Sequence, residues 1–295
     1  MKYLETFRLP SEAEEMEYIF SFPYQLEMSC FSDNVYPFKV FTRRICDKLL
    51  FEPITIFSGG NGSGKSTLLN IISEKLEVQR SAPFNNTPYY TDFLELCKFE
   101  SFRDERIPKG SRIITSDDVF DYLLNIRSIN EGVDRKRSDL FREYFETKDR
   151  LHQNMKTLDD YEEFKRIHET KRNTTNKYVV KRLGIKNFSG KSNGESAYLF
   201  FTNAIKENAL YLLDEPENSL SPVLQDKLAS FIEDSVRFYG CQFIISTHSP
   251  FMLALKGAKI YDLDSEKVEA KDWTELENIR FCHDFFAKHS DKFSD

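Results

Sequence analysis

Hydrophobic positions along this chain follow two periods. The apolar, β-branched run Ile54–Phe57 (ITIF) predicts a buried strand. It runs into the glycine cluster SGGNGSGK, after which STLLNIISEKL places Leu68, Leu69, Ile72 and Leu76 at helical spacing. The predicted order is strand, glycine loop, helix. A second alternating stretch lies downstream: a helix through Ala197–Ile205, the strand ALYLL, a helix over Pro222–Phe238, the strand CQFIIS, a helix beginning near Pro250, and the strand AKIYDL. Strands that are continuous apolar runs separated by helices predict a parallel α/β sheet with helical cover. Between the two stretches, from about Val119 to Arg182, the pattern changes. Leu140, Tyr144, Phe145, Leu151, Met155, Leu158, Tyr161, Phe164 and Ile167 fall three to six apart in a charged background, which predicts an inserted helical subdomain. The spacing lapses between Phe145 and Leu151, and the segment is too short for long coiled-coil arms, so a short helical hairpin or bundle is expected.

Composition narrows the setting. With 295 residues, 40% of them hydrophobic, the chain can bury a real core. Its formal charge of −7 is opposite to that of a protein that coats nucleic acid or an anionic bilayer, so any such contact is a local patch. The densest basic stretch carries Arg166, Lys171, Arg172, Lys177, Lys181 and Arg182, and reads either as a solvated face or as a nucleic-acid contact. Apolar runs such as Phe243–Ser246 fall far below the roughly 20 residues of a membrane span. The N-terminal sequence lacks an apolar export core, and the five cysteines form no CxxC pair. Both features fit reduced thiols in a cytoplasmic protein.

Four segments carry candidate chemistry. Gly59 to Ser66 fits G-x-x-x-x-G-K-[ST] in the strand–loop–helix context of a phosphate-binding loop. Its glycines let backbone N–H groups converge on a β-phosphate, Lys65 neutralises β/γ oxygens, and Ser66 can ligate magnesium. The strand ALYLL delivers Asp214 and Glu215 at the sheet edge where open α/β folds place ligands. There Asp214 would hold the metal and Glu215 would act as general base, although acids also commonly start loops and cap helices. The strand FIIS ends in Thr247-His248-Ser249-Pro250, which makes His248 either a γ-phosphate sensor or a structural histidine. Finally, Ser192-Asn193-Gly194-Glu195-Ser196 reads as a capping box, and equally as a second anion site at a helix start.

In this order the four motifs resemble the ATP-binding cassette ATPase superfamily: Gly59 to Thr67 as Walker A, Ile205 to Pro216 ending in Walker B, and SNGES in the place of the LSGGQ signature. The wording THSP and DEPENSLSP is similar to the soluble AAA-type ATPases of the SMC-like and RecF-like class. The resemblance implies an α/β P-loop NTPase sheet of ABC-ATPase type with an inserted helical subdomain. Residues 1–118 and 189–295 would be the two parts of the nucleotide-binding domain, and 119–188 the insertion. It implies ATP and Mg2+ as ligands, with Gly59, Asn61, Gly62, Ser63, Gly64, Lys65, Ser66 and Thr67 around the phosphates. Ser66 and Asp214 would stand at the metal, and Lys65, Glu215 and His248 would be catalytic. Ser192 and Gly194 would reach the γ-phosphate bound to an opposite subunit, which implies an ATP-dependent head-to-tail homodimer with Ser219-Leu220-Ser221 as the D-loop.

Departures from the family pattern are Asn193 and Glu195 in the signature and the lack of a Q-loop glutamine. Gln79 comes too early, whereas RIITSDDVF, read as a strand, brings Asp117 and Asp118 to the expected place. An Asp there would either bind metal-linked water or cap the helix DVFDYLLNI. An aromatic of Tyr36-Pro37-Phe38 would stack on adenine or belong to the core. Asp272 to Phe286 is expected to be a helix docked through its aromatics. His152, His168, His283 and His289 have no metal-site spacing. The function implied is a soluble ATPase whose cycle switches a partner protein or a nucleic-acid interaction. Alternatives are the nucleotide-binding subunit of an ABC transporter and an ATP-gated activator of a separately encoded effector.

Overall fold

The computed structural model describes residues 1–21, 35–41, 48–149 and 192–293. The chain divides into two compact units, one made of Met1–Phe120 with Asn193–Asp295 and the other of Asp121–Ser192. In the first unit the chain begins with β1 (Leu4–Arg8), α1 (Glu12–Ser21), β2 (Leu49–Leu50), β3 (Ile54–Ser58) and α2 (Lys65–Lys75). It continues through α3 (Tyr90–Leu96), β4 (Lys98–Ser101), β5 (Arg112–Ile114) and α4 (Ser116–Asp149), a 34-residue helix that runs on into the second unit. Beyond residue 192 come α5 (Asn193–Ala204), β6 (Leu210–Asp214), α6 (Pro222–Phe238) and β7 (Gln242–Ser246). The last elements are α7 (Pro250–Leu253), β8 (Lys259–Asp262), β9 (Ala270–Lys271) and α8 (Glu277–Lys288). The basic stretch and the apolar positions from Leu151 to Ile167 lie outside the described residues.

Six strands form one sheet in the order β5-β6-β7-β3-β8-β9, parallel except for the terminal pair. Strands β3 and β7 are buried at every residue, as their unbroken apolar runs require. Strand β7 lies between β6 and β3, pairing Asp214 with Ser246 and Phe57 with Ser246. The residues following these three strands therefore emerge side by side at one edge. That order places the glycine loop, the acidic pair and the histidine together, although some 190 positions of sequence separate the first from the last.

A smaller antiparallel sheet, β2-β1-β4, pairs Thr6 with Leu50 and Phe7 with Phe99. Nothing in the hydrophobic pattern predicts it. It is tied to the large sheet by the buried side chain of Gln242, whose Oε1 accepts from the N–H groups of Tyr3 (2.6 Å) and Leu4 (2.9 Å). Its Nε2 donates to Leu4 O (2.9 Å) and Glu52 O (3.1 Å), so one amide satisfies four backbone groups. The shared core between the sheets is aromatic, with Phe51 edge-on to Phe57 at 6.3 Å and Phe38 edge-on to Phe93 at 5.0 Å.

Local differences from expectation have simple causes. The strand predicted through RIITSDDVF stops at Ile114, because Thr115 N–H and Oγ1 both donate to Asp118 Oδ2 (2.8 and 2.9 Å) and open α4 instead. Helix α5 starts at Asn193, four residues before the apolar run that suggested it. The C-terminal helix is split: a 3-10 turn over Trp273–Glu275, capped by Asp272, precedes α8. Among the described residues, no helix is long and apolar enough to cross a membrane.

Candidate functional site

The glycine loop leaves β3 and enters α2 through Gly64, at φ 93°, where a Cβ would lie 3.0 Å from the Phe41 ring. A side chain here would meet both a left-handed backbone and an aromatic wall. Gly59, Ser63 and Lys65 are buried, whereas Gly60, Asn61, Gly62 and Ser66 are exposed at the mouth of the loop. Thr67, the third residue of α2, accepts from the Tyr36 hydroxyl at 3.2 Å. Lys65 is 4% exposed, and its Nζ donates to Gly59 O (2.8 Å), Gly60 O (3.1 Å) and His248 Nε2 (2.8 Å). Burial lowers the Lys65 pKa, opposed by the negative charge of Glu215, Asp214, Asp264 and Glu217.

Next to the loop, Asp214 Oδ1 accepts from Ser66 Oγ at 3.0 Å and, closer still, from Ser246 Oγ. Burial raises the Asp214 carboxyl, and the two hydroxyl bonds oppose that rise. Glu215 has left-handed backbone angles (φ 47°, ψ 56°), and its N–H donates to Ser246 O at 3.0 Å. Such a conformation costs a non-glycine residue on the order of 1–3 kcal/mol. It turns the carboxylate back toward the loop, so that Oε1 lies 3.9 Å from Lys65 Nζ and 3.3 Å from His248 Nε2. Lys65, Glu215 and His248 thus meet in one cluster, with Ser66 and Asp214 beside it.

A cleft of about 340 Å³ adjoins the Ser66–Asp214 pair and is also lined by Asn70, Arg80, Ser116 and Asp117. The two aspartates at the start of α4 therefore divide their work: Asp118 caps the helix, and Asp117 faces the cleft. Gln79 is engaged elsewhere, bridging to Arg112 and donating to Lys109 O. Phe38 stacks on Tyr18 at 4.9 Å and is a core residue. Gly194 lies in the first turn of α5, where a Cβ would come within 2.9 Å of Leu224 and 3.4 Å of Ser219 O. The glycine allows that turn to sit against the segment after β6. Ser192, directly before the helix, is exposed.

Three residues at this edge escaped the sequence reading. Arg80 donates to Glu74, Asn70 and Ser73 and lies over the Phe84 ring at 4.5 Å. Asp264 accepts from the Gly60 N–H at 2.6 Å and so anchors the loop from the strand β8 side. Glu217 accepts from Thr247 and from the backbone of His248 and Ser249. Each acts on backbone or through neighbours, and such bonds leave no spacing in the sequence; only the acid two residues past Glu215 hinted at Glu217.

The donor set fits a magnesium nucleotide. Among the described residues there is no cluster of three or more His, Cys, Asp or Glu side chains able to hold a metal alone. Ser66 and Asp214 offer two oxygens, which suits a cation that takes its other ligands from phosphate and water.

A protein-family model described as "AAA domain, putative AbiEii toxin, Type IV TA system" matches residues 54–254, more than half of the chain. No curated protein matches it. Among solved structures, the chain is similar to the ATP-binding cassette MJ0796 in a post-hydrolysis dimer bound to ADP and Pi: 13% identity, TM-score 0.36, covering 79% of this chain and 91% of that one. It is also similar to the Smc head domain of Pyrococcus furiosus with an extended coiled coil, bound to the C-terminal domain of ScpA: 14% identity, TM-score 0.43, 97% and 100% covered. A third is an inward-facing putative metal-chelate type ABC transporter: 19% identity, TM-score 0.34, 78% and 76% covered.

Proposed function

The chain belongs to this family of AAA domains, and we propose that it binds and hydrolyses Mg-ATP between two head-to-tail copies, using the cycle to switch the binding of a partner. The observation that carries the reading is the meeting of Lys65, Glu215 and His248 within 4 Å at the end of three adjacent parallel strands. Ser66 and Asp214 would hold Mg2+, which neutralises charge on the phosphate oxygens.

Lys65 is pre-placed but occupied. Its three donors are spent on Gly59 O, Gly60 O and His248, so an entering phosphate replaces those contacts with stronger charge-assisted ones. Glu215 then takes a proton from the water attacking the γ-phosphorus. The new P–O bond forms as the bond to the β-phosphate oxygen breaks, leaving ADP and phosphate. His248 stands against both Lys65 and Glu215 and registers whether the γ-phosphate is present. Asp117, across the cleft from Ser66, lies at the head of α4 and would pass the state of the metal side into that helix.

Ser192 and Gly194 of the second copy would complete the γ-phosphate cage. Dimerisation would then depend on that phosphate by mass action. Glu215→Gln with Mg-ATP should accumulate a dimer in light scattering. A variant that binds ATP and remains monomeric would remove the head-to-tail mechanism while leaving the ATPase. Stimulation of the wild-type rate by double-stranded or single-stranded DNA identifies nucleic acid as the partner, and no stimulation points to a protein.

A further inference from the structure

One carboxylate gathers three donors of the turn that carries His248, beside the bonds of Thr247 N–H to Phe57 O (3.2 Å) and of Ser249 N–H to Thr247 Oγ1 (2.9 Å). Glu217 Oε1 accepts from Thr247 Oγ1 (2.6 Å), His248 N (2.7 Å) and Ser249 N (3.1 Å). Oε2 of the same residue is buried and has no partner among the described residues. The turn is braced further by Ser249, whose Oγ donates to Gln225 Oε1 at 2.7 Å and receives the N–H groups of Phe251 and Met252. Glu217 itself sits in the 3-10 turn Pro216–Ser219, two residues past Glu215 and on the segment that Gly194 packs against.

We propose that Glu217 is a positioning residue of the reaction: through the backbone of Thr247–Ser249 it fixes the His248 ring against Lys65 and Glu215, and so ties the phosphate sensor to the turn after β6. The inference rests on the ATPase reading above and deepens it. Three donors converge on one oxygen of Glu217, which fixes the turn by geometry. Its charge is felt at Lys65, but its hydrogen bonds run to the turn that carries the histidine. If it were released, the ring would lose its fixed height over the cluster, and small misplacements of this kind cost on the order of 10- to 100-fold in rate.

The test uses Glu217→Ala, Glu217→Gln, His248→Ala and the double variant Glu217→Ala/His248→Ala in the full chain. Glu217→Ala should lower kcat at least about tenfold with KM for ATP changed less than about twofold, and Glu217→Gln should recover part of the loss. The double variant should be little slower than His248→Ala alone, because the hydrogen bonds of the glutamate run to the histidine turn. Multiplied losses in the double variant, or a wild-type kcat in Glu217→Ala, would overturn the proposal. A second readout needs neither nucleotide nor turnover. With only five histidines in the chain, 15N-histidine labelling gives few backbone amides, and that of His248 is assigned by its loss in His248→Ala. Its proton should move upfield in nucleotide-free Glu217→Ala and take an intermediate position in Glu217→Gln. An unmoved amide overturns the proposal, whereas a moved amide in a chain that hydrolyses no ATP leaves the brace standing and sinks the ATPase reading instead.

Discussion

The two sheets of the first unit share one apolar core but use their polar groups differently. In the six-stranded sheet the central strands β3 and β7 are buried at every residue, and apolar contact between neighbours does the work, as in the pairing of Leu212 with Ile244 and Ile56 with Ile245. The candidate chemistry gathers at one edge, at Ser66, Asp214, Glu215 and His248. The small sheet is half exposed, and β4 has no buried residue. Leu4, Phe7 and Leu49 join it to the shared core, and polar bonds add to them: Thr6 Oγ1 and Lys48 Nζ both donate to Glu100 Oε2, and Gln242 pins β1 to the large sheet. Side chains in the first arrangement can be changed at the edge with little loss of fold. In the second, a single buried amide bears structural weight far from any chemistry.

That contrast can be broken experimentally, and the largest effect belongs to the edge. Glu215→Gln should reduce kcat by about 10²- to 10⁴-fold, the usual share of a general base, with the melting temperature nearly unchanged. An active Glu215→Gln would move the base elsewhere in the cluster.

The small sheet should show the reverse behaviour. Gln242→Ala leaves the N–H groups of Tyr3 and Leu4 and the carbonyls of Leu4 and Glu52 without their partner. Orphaned buried groups cost about 1–3 kcal/mol each before relaxation and water entry, so a loss of at least about 2 kcal/mol is expected in denaturant unfolding. The folded fraction should keep its KM for ATP. A silent Gln242→Ala would mean that the apolar core alone seats the small sheet.

The smallest effect sits at the end of β1. Two bonds from the Arg8 guanidinium, with help from Ser11, hold the Glu14 carboxyl down at about 2. Because the folded value is depressed, this stability is present above the unfolded pKa near 4.5 and is lost as pH falls through about 2. Both side chains are about one-third exposed, so the pair contributes about 1 kcal/mol or less. Glu14→Gln should therefore lower the melting temperature slightly at pH 7 and by much less at pH 2. An equal deficit at both would assign the effect to packing.

Legibility in the sequence follows the same division. Where a strand is an unbroken apolar run ending in chemistry, as at Ile54–Ser58, Leu210–Asp214 and Gln242–Ser246, the strand and the residues that follow it were readable together. The first strand of the small sheet was not: it alternates too briefly to stand out, and its partners lie more than 40 positions away. The glutamine that seats it looks like any polar residue at the start of a strand. At the site, motif spacing marked Lys65, Asp214, Glu215 and His248, while Glu217 and Asp264 stayed hidden because they bind backbone N–H groups. The capping role of Asp118 was visible as an alternative, since an acid three residues after Thr115 is a local signal; the cleft that Asp117 lines is formed by distant residues, and only the place of the Asp pair just before the insertion pointed to it.

The most direct measurement is equilibrium binding of Mg-ATP to the purified, folded chain, with Lys65→Ala as the control. Saturable binding of one nucleotide per chain is expected, severely weakened in Lys65→Ala. A folded wild-type chain that takes up no nucleotide at millimolar Mg-ATP would contradict it.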